Sequence, residues 1–174
     1  MPEQGGNMAY TLTQTWLALK AWPEMKRWRS AFGLAVPTLL FIAGIGYLSG
    51  WITFAPVSDA ATIFTAVGIL FFLPALFEEL VFRGFLLAWL TTKTARWSAW
   101  ISTLLFVLWH PLQALTIGPP WASVFLQPSF LFATFLLGII LSHIRIVSGS
   151  LWPVVMIHWF AAVVWKLVLG GPFY

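Results

Sequence analysis

Two adjacent glutamates and an arginine stand inside a long apolar stretch and are the first candidates for chemistry in this sequence. They are Glu78, Glu79 and Arg83, and residues 62–90 contain no other charged side chain. A charge at the depth of a lipid bilayer costs at least about 2.5–3.5 kcal/mol on insertion scales. Three charges together therefore indicate either a structural ion pair or a catalytic site.

Helical spacing gives the two glutamates different roles. Glu79 and Arg83 lie four residues apart, so on a helix they face each other and can neutralise each other. Glu78 points roughly 100° away from Glu79 at 3.6 residues per turn, so Arg83 cannot serve both carboxylates equally. Glu78 is left as the carboxylate that needs another partner, which makes it a candidate general base.

Two histidines lie in later apolar stretches, at a depth similar to that of Glu78. With a rise of 1.5 Å per residue, Glu78 lies about 18 Å from the end of its stretch at Leu90. His110 lies about 20 Å into the next stretch, counted from Trp97, and His158 about 10–15 Å into the last one. Their similar depth predicts that the three side chains meet. Each histidine could instead serve only to form a hydrogen bond between helices.

The composition is that of a membrane protein. Of the 174 residues, 60% are hydrophobic and 8% are charged, against roughly 25% charged in soluble domains. The absence of cysteine excludes disulfides, thiol nucleophiles and thiolate metal sites. The net charge of +4 does not indicate nucleic-acid binding, because the basic residues fall at the ends of apolar stretches.

The apolar stretches predict an all-α fold, a polytopic transmembrane helical bundle of about five spans. We place these spans at residues 31–51, 61–90, 97–117, 122–142 and 151–169. The second stretch is too long for one straight span, and we expect Pro74 to kink or split it because proline removes a backbone hydrogen bond.

Residues 1–30 are predicted to form an amphipathic, interfacial N-terminal segment, and residues 31–174 a single transmembrane domain with a motif core at 60–165. In the N-terminal segment, apolar side chains recur at helical spacing between basic ones, up to a break at Pro23. These apolar residues are Leu12, Trp16, Leu19 and Trp22. We expect the segment to anchor the protein to the bilayer, with a substrate-binding arm as the alternative.

The distribution of basic residues predicts the orientation. Residues 20–29, 93–96 and Arg145 carry Lys or Arg on one side of the five spans, whereas loops 53–60 and 116–121 carry none. The positive-inside rule then predicts a cytoplasmic N-terminus, and we expect a bacterial inner membrane. His143, close to Arg145 at the edge of a span, is expected to be solvated.

Three other types of intramembrane or metal hydrolase do not fit the sequence. No G-x-S-x-G motif is present for a serine nucleophile. Asp59 is the only aspartate, so an aspartyl pair cannot form. The H-E-x-x-H motif of zinc hydrolase helices is also absent.

The polar residues together resemble the CPBP family of intramembrane endopeptidases, which includes the type II CAAX prenyl proteases. The resemblance covers about residues 60–165 and rests on three segments in successive spans. They are Glu78-Glu79-xxx-Arg83, Phe106-xxx-His110, and His158 following Gly149-Ser150-Leu151-Trp152-Pro153. It implies a small bacterial member of the family.

This resemblance also implies a mechanism. Glu78 would activate a water that attacks a peptide carbonyl, with His110 holding the water or the glutamate. His158 would help to stabilise the tetrahedral oxyanion, and Glu79, Arg83 and Phe106 would support the site. The family usually has Asn or Asp four residues after the last histidine, where this sequence has Ala162.

Family members have been described both as glutamic proteases and as metalloproteases. We favour a glutamic mechanism without a cofactor, because no close pair of ligands lies on one helix; a zinc site of Glu78, His110 and His158 is the alternative. The expected substrate is a membrane-embedded or lipidated protein or peptide: a C-terminal sorting tail, a peptide precursor or a CAAX-like terminus. The alternatives to an enzyme are a non-catalytic immunity or scaffold protein that kept the fold, and a small transporter.

Overall fold

The structure, a computed structural model, describes residues 8–172. Residues 1–7 of the predicted N-terminal segment, and Phe173 and Tyr174, lie outside that range. Between residues 8 and 172, six helices follow one another: α1 Met8–Lys20, α2 Met25–Leu48, α3 Ala60–Thr94, α4 Ser98–Thr116, α5 Pro128–Ser148 and α6 Trp152–Leu167. A short 3-10 helix, Pro120–Leu126, joins α4 to α5.

The predicted all-α transmembrane bundle is confirmed. Helices α2, α3, α4 and α5 are each long and apolar enough to cross a membrane, and α6 is a shorter apolar helix of 16 residues. Helix α5 packs against α2, α4 and α6 and lies at the centre of the bundle. Its side chain Leu141 is fully buried, together with Val154 and Val155 of α6.

The break expected at Pro74 is present in α3. Leu73 has non-helical backbone angles (φ −132°, ψ 110°), and this kink separates the first part of α3, Ala60–Leu70, from the part that carries the glutamates. A residue before proline is driven out of the α region by the proline ring. The segment Phe77–Glu79 follows the turn Phe71–Leu76, which contains the kink, and precedes π-type turns at Leu80–Leu86; π-type turns are frequent at functional sites.

Two span boundaries differ from the prediction. The fourth span was placed at residues 122–142, but α5 runs from Pro128 to Ser148 and the earlier residues form the 3-10 helix. Proline is favoured in the first turn of a helix, and Gly149, with φ 72°, ends α5 in a left-handed conformation. The first span was predicted to begin at residue 31, whereas α2 begins at Met25, directly after the break at Pro23.

Helix α1 is docked on the bundle. Its residues Thr11 and Ala18 are buried, and the backbone N–H of Leu151 donates to the carbonyl of Ala18 at 3.0 Å. The indole of Trp152 donates to the carbonyl of Leu19 at 2.8 Å. The apolar residues Leu12, Trp16 and Trp22 remain exposed, as expected of an anchor, although the interfacial position stays a prediction. The predicted domain boundary at residue 30 falls inside α2.

Candidate active site

The residues singled out in three different spans lie together in the interior of the bundle. We call Glu78, Glu79, Arg83, His110 and His158 the buried polar cluster; each has at most 8% of its surface exposed. The cluster draws on α3, α4 and α6, with α5 packed behind it. This convergence was expected, because the glutamate and the two histidines lie at a similar depth in their predicted spans.

Glu79 and Arg83 form the ion pair expected from their spacing. Nη1 of Arg83 donates to Oε1 of Glu79 at 3.0 Å, and both side chains are fully buried. Nη2 of Arg83 donates to the backbone carbonyl of Gly138 at 3.1 Å. A charged pair away from water needs such additional hydrogen bonds to offset the loss of solvation.

Phe106 and Gly138 shape the pocket that holds the arginine. The guanidinium carbon of Arg83 lies 4.1 Å from the ring centroid of Phe106, within the range of a cation–π contact. A methyl group on Gly138 would lie 3.1 Å from Nη2 of Arg83 and 3.3 Å from the Phe106 ring. The lack of a side chain at position 138 therefore allows α5 to approach the arginine closely.

His158 bridges the two carboxylates. Its Nδ1 lies 2.8 Å from Oε1 of Glu79, the oxygen that also receives Arg83. Because a carboxylate paired with arginine only accepts hydrogen bonds, Nδ1 of His158 carries the proton. The other nitrogen, Nε2, lies 3.9 Å from Oε2 of Glu78.

The two oxygens of Glu78 have different surroundings. Oε1 accepts a hydrogen bond from the indole Nε1 of Trp109 at 3.1 Å and a longer one from the amide Nε2 of Gln113 at 3.5 Å. Oε2 faces His158 instead. Helical geometry predicts that Arg83 pairs with one glutamate and not with the other, and of these two carboxylates it is Glu79 that forms the ion pair.

His110 is oriented by its own helix. Its Nδ1 lies 2.9 Å from the backbone carbonyl of Phe106, which can only accept, so Nδ1 is the donor. The ring also packs edge-on against Phe106 and Phe125, with centroids 4.9 and 5.1 Å away. In the neutral ring this leaves Nε2 as the nitrogen with a free lone pair.

Sequence reasoning missed Trp109 and Gln113. Both lie on the α4 face that meets Glu78, one turn apart, and Gln113 is a carboxamide inside an apolar span. Polar side chains at membrane depth are expensive and therefore informative, so Gln113 could have been found. The indole of Trp109 gave no such signal, because tryptophan is abundant in this chain.

Ala162, which stands where the family usually has Asn or Asp, faces an apolar environment. It packs against the cluster of Ala66, Leu70 and Leu167, between α6 and the first part of α3. A methyl group donates no hydrogen bond. This position therefore supplies no polar group to the site.

Histidine and glutamate side chains are also potential metal ligands. Within residues 8–172, no group of three or more His, Cys, Asp or Glu side chains is arranged to hold a metal ion. The zinc site of Glu78, His110 and His158, the alternative to the glutamic mechanism, stays a prediction. His143 lies elsewhere, exposed beside the start of α2.

A comparison with protein families identified a family model that matches this chain. The family model described as Rce1-like, type II CAAX prenyl endopeptidase, matches residues 60–164 and so covers more than half of the 174 residues. No curated protein and no solved structure matches the chain. The matched region contains the whole buried polar cluster and coincides with the motif core identified in the sequence. The chain is a membrane protein that belongs to the Rce1-like family of type II CAAX prenyl endopeptidases.

Proposed function

We propose that this protein is an intramembrane endopeptidase in which Glu78 activates the attacking water. The observation that carries the proposal is the position of the Glu78 carboxylate: buried, unpaired with Arg83, and facing His158 through Oε2. A carboxylate held in this way, with two imidazoles beside it, has the groups that hydrolysis of a peptide bond needs.

The proposed reaction begins with proton transfer from a water to Oε2 of Glu78 as the water oxygen attacks the carbonyl carbon. The carbon becomes tetrahedral and its oxygen takes the negative charge. Protonated Glu78 then gives its proton to the amide nitrogen as the C–N bond breaks. The products are a new carboxylic acid, which passes its remaining proton to the new amine or to solvent, and that amine; Glu78 is again a carboxylate, and only water is consumed.

The two histidines would assist the reaction in different ways. His110 can accept a hydrogen bond at Nε2, because its Nδ1 proton is committed to the backbone of Phe106. His158 can support the oxyanion only after Nε2 is protonated, because its Nδ1 proton is committed to Glu79. The Glu79–Arg83 pair is neutral overall, so the negative oxyanion would balance the charge of a His158 imidazolium.

The substrate would be a membrane-associated peptide, and the description of the family makes a prenylated CAAX peptide the first one to test. We expect the purified protein in proteoliposomes to cleave a farnesylated, internally quenched CAAX peptide, with the products identified by mass spectrometry. Sorting-tail and precursor peptides form the other arms of the assay. The double variant Glu78→Ala/His110→Ala should accumulate normally but not cleave any of them.

Three results would change this proposal. Product formation by the double variant at the wild-type rate would contradict a protease site at Glu78. Protection of cells conferred equally by the wild type and the double variant would instead favour a non-catalytic immunity or scaffold protein that kept the fold. Loss of activity to a strong zinc chelator, with recovery on addition of zinc, would replace the glutamic mechanism with a metal-dependent one.

A further inference from the structure

The reaction requires a hydrogen-bond donor for the oxyanion, and the two histidines do not provide one in their neutral forms. The Nδ1 protons of His110 and His158 are used by Phe106 and Glu79, so each Nε2 carries a lone pair. A donor that is ready without a protonation step must come from another residue. Position 162 cannot be that donor, because it is an alanine among apolar side chains.

Two N–H groups of α4 lie next to Glu78, and they hold its Oε1 with different strengths. The indole of Trp109 donates at 3.1 Å, a normal hydrogen-bond length. The amide of Gln113 donates at 3.5 Å, the outer limit of such a bond. Trp109 therefore fixes the carboxylate. Gln113 gives up only a weak hydrogen bond when its amide turns to a better acceptor.

The backbone around Gln113 is fixed although its side-chain contact is loose. Its carbonyl accepts hydrogen bonds from Ile117 at 3.1 Å and from Gly118 at 2.6 Å, where α4 ends. A methyl group on Gly118 would lie 2.7 Å from this carbonyl oxygen. The carboxamide thus extends from a well-held last turn, and the side chain is only half-buried, so a substrate can reach it.

We infer that Gln113 is a catalytic residue whose amide donates to the oxyanion of the tetrahedral intermediate, while Trp109 positions Glu78. Glutamine side chains are established donors in oxyanion holes, and an anionic acceptor forms a stronger hydrogen bond than the long contact it replaces. Oε1 of Glu78 keeps its bond to Trp109, and Oε2 remains open to take the proton from water. This inference rests on the proposed function.

The test compares three variants in the farnesylated-peptide assay. Gln113→Leu removes the amide, and Trp109→Phe removes the indole N–H while keeping a smaller aromatic ring. Gln127→Leu makes the same chemical change as Gln113→Leu at an exposed glutamine outside the site. Removing one oxyanion donor typically lowers kcat by about 10²–10³-fold. We expect that loss for Gln113→Leu with KM almost unchanged, and wild-type kinetics for Gln127→Leu.

A binding measurement separates a catalytic role from a structural one. A peptide difluoroketone hydrates to a tetrahedral diol that imitates the intermediate, whereas the corresponding unfluorinated ketone stays trigonal. We expect Gln113→Leu to weaken binding of the difluoroketone by about 10–100-fold, as for a lost hydrogen bond that leaves a buried partner unsatisfied. Binding of the trigonal ketone should be unchanged, and Trp109→Phe should affect both ketones alike.

The outcomes distinguish this inference from the proposed function. Cleavage by the wild type together with equal difluoroketone affinity in the wild type and Gln113→Leu would overturn the role of Gln113 alone. If Gln113→Leu and Trp109→Phe changed the cleavage kinetics and the two ketone affinities in the same way, this role would also be overturned, because both residues would then only position Glu78. A wild-type protein that neither cleaves nor binds any peptide would overturn the proposed function and this inference with it.

Discussion

Nδ1 of His158 lies 2.8 Å from Oε1 of Glu79, within a part of the bundle that is almost closed to solvent. Glu79 therefore has two partners, Arg83 on its own helix and His158 on α6. The spacing of Glu79 and Arg83 predicts only the first of these contacts. The second contact fixes the ring so that Nε2 faces Glu78 at 3.9 Å, which links the structural ion pair to the proposed base.

Substitution of Glu79 tests this link. Glu79→Leu removes the acceptor for His158 and should lower kcat by about 10²-fold or more, the smaller end of what a positioned proton-transfer group contributes. Glu79→Gln keeps an acceptor oxygen and should retain more of the activity. Steady-state cleavage kinetics measure both; equal activity of Glu79→Leu and the wild type would show that His158 needs no orientation from Glu79.

Arg83→Met tests the contribution of the buried ion pair to stability. Removing one partner of a buried pair leaves the other charge uncompensated, at a cost of about 3–5 kcal/mol. We expect a large decrease in the thermal unfolding temperature in detergent. The double variant Arg83→Met/Glu79→Leu should recover part of the loss, because no unpaired charge remains.

The matched control for this change is Arg96→Met. Arg96 lies on the surface between α3 and α4, where its guanidinium contacts the ring of Trp97. Surface substitutions of this kind usually change stability by less than about 0.5 kcal/mol. If Arg96→Met lowered the unfolding temperature as much as Arg83→Met does, the loss could not be attributed to the unpaired charge in the bundle interior.

Gly84→Ala tests whether α1 depends on close contact with α3. A methyl group at position 84 would lie 2.9 Å from Cγ2 of Thr15, so it should loosen α1 and make residues 8–24 more accessible to protease. Thr15→Ala removes that methyl, and its hydroxyl bonds only within α1, so the double variant should be protected again. Gly68→Ala is the control, since nothing lies within 4 Å of its added methyl.

Asp59, in the loop before α3, gives a prediction of pH dependence. Its carboxylate caps α3 through a hydrogen bond from the N–H of Thr62 at 2.7 Å, and hydrogen bonds with Thr62 lower the pKa of Asp59 from its ordinary 3.8. A folded-state pKa below the unfolded one means that the stabilisation is complete above pH 3.8 and is lost as the pH falls through the folded value.

Asp59→Ala should therefore unfold at a lower temperature than the wild type at neutral pH, and the difference should shrink at pH values below 3.8. Asp59→Asn retains a capping oxygen without a titrating charge, so its unfolding temperature should vary less with pH in this range. Thermal unfolding curves across the acid range measure both. A difference between Asp59→Ala and the wild type that is constant with pH would contradict the role of the ionised cap.

The sequence predicts those parts of the fold and site that follow from local geometry and from the cost of charge in lipid. The pairing of Glu79 with Arg83, the isolation of Glu78 and the break at Pro74 all follow from residues close together in the chain. The start of α5 at Pro128 was missed because residues 120–126 are as apolar as the helix that follows. The bond between His158 and Glu79 depends on how α6 packs against α3, which no spacing within one segment reveals.

The most direct test of the account is the rate at which Glu78→Gln cleaves the farnesylated peptide in proteoliposomes. The variant keeps the shape of the side chain and removes its basicity, while Glu24→Gln makes the same change at an exposed glutamate before α2. The account predicts that Glu78→Gln lowers kcat by about 10²–10⁴-fold, the contribution of a general base, and that Glu24→Gln cleaves like the wild type. Wild-type cleavage by a correctly folded Glu78→Gln variant would contradict it.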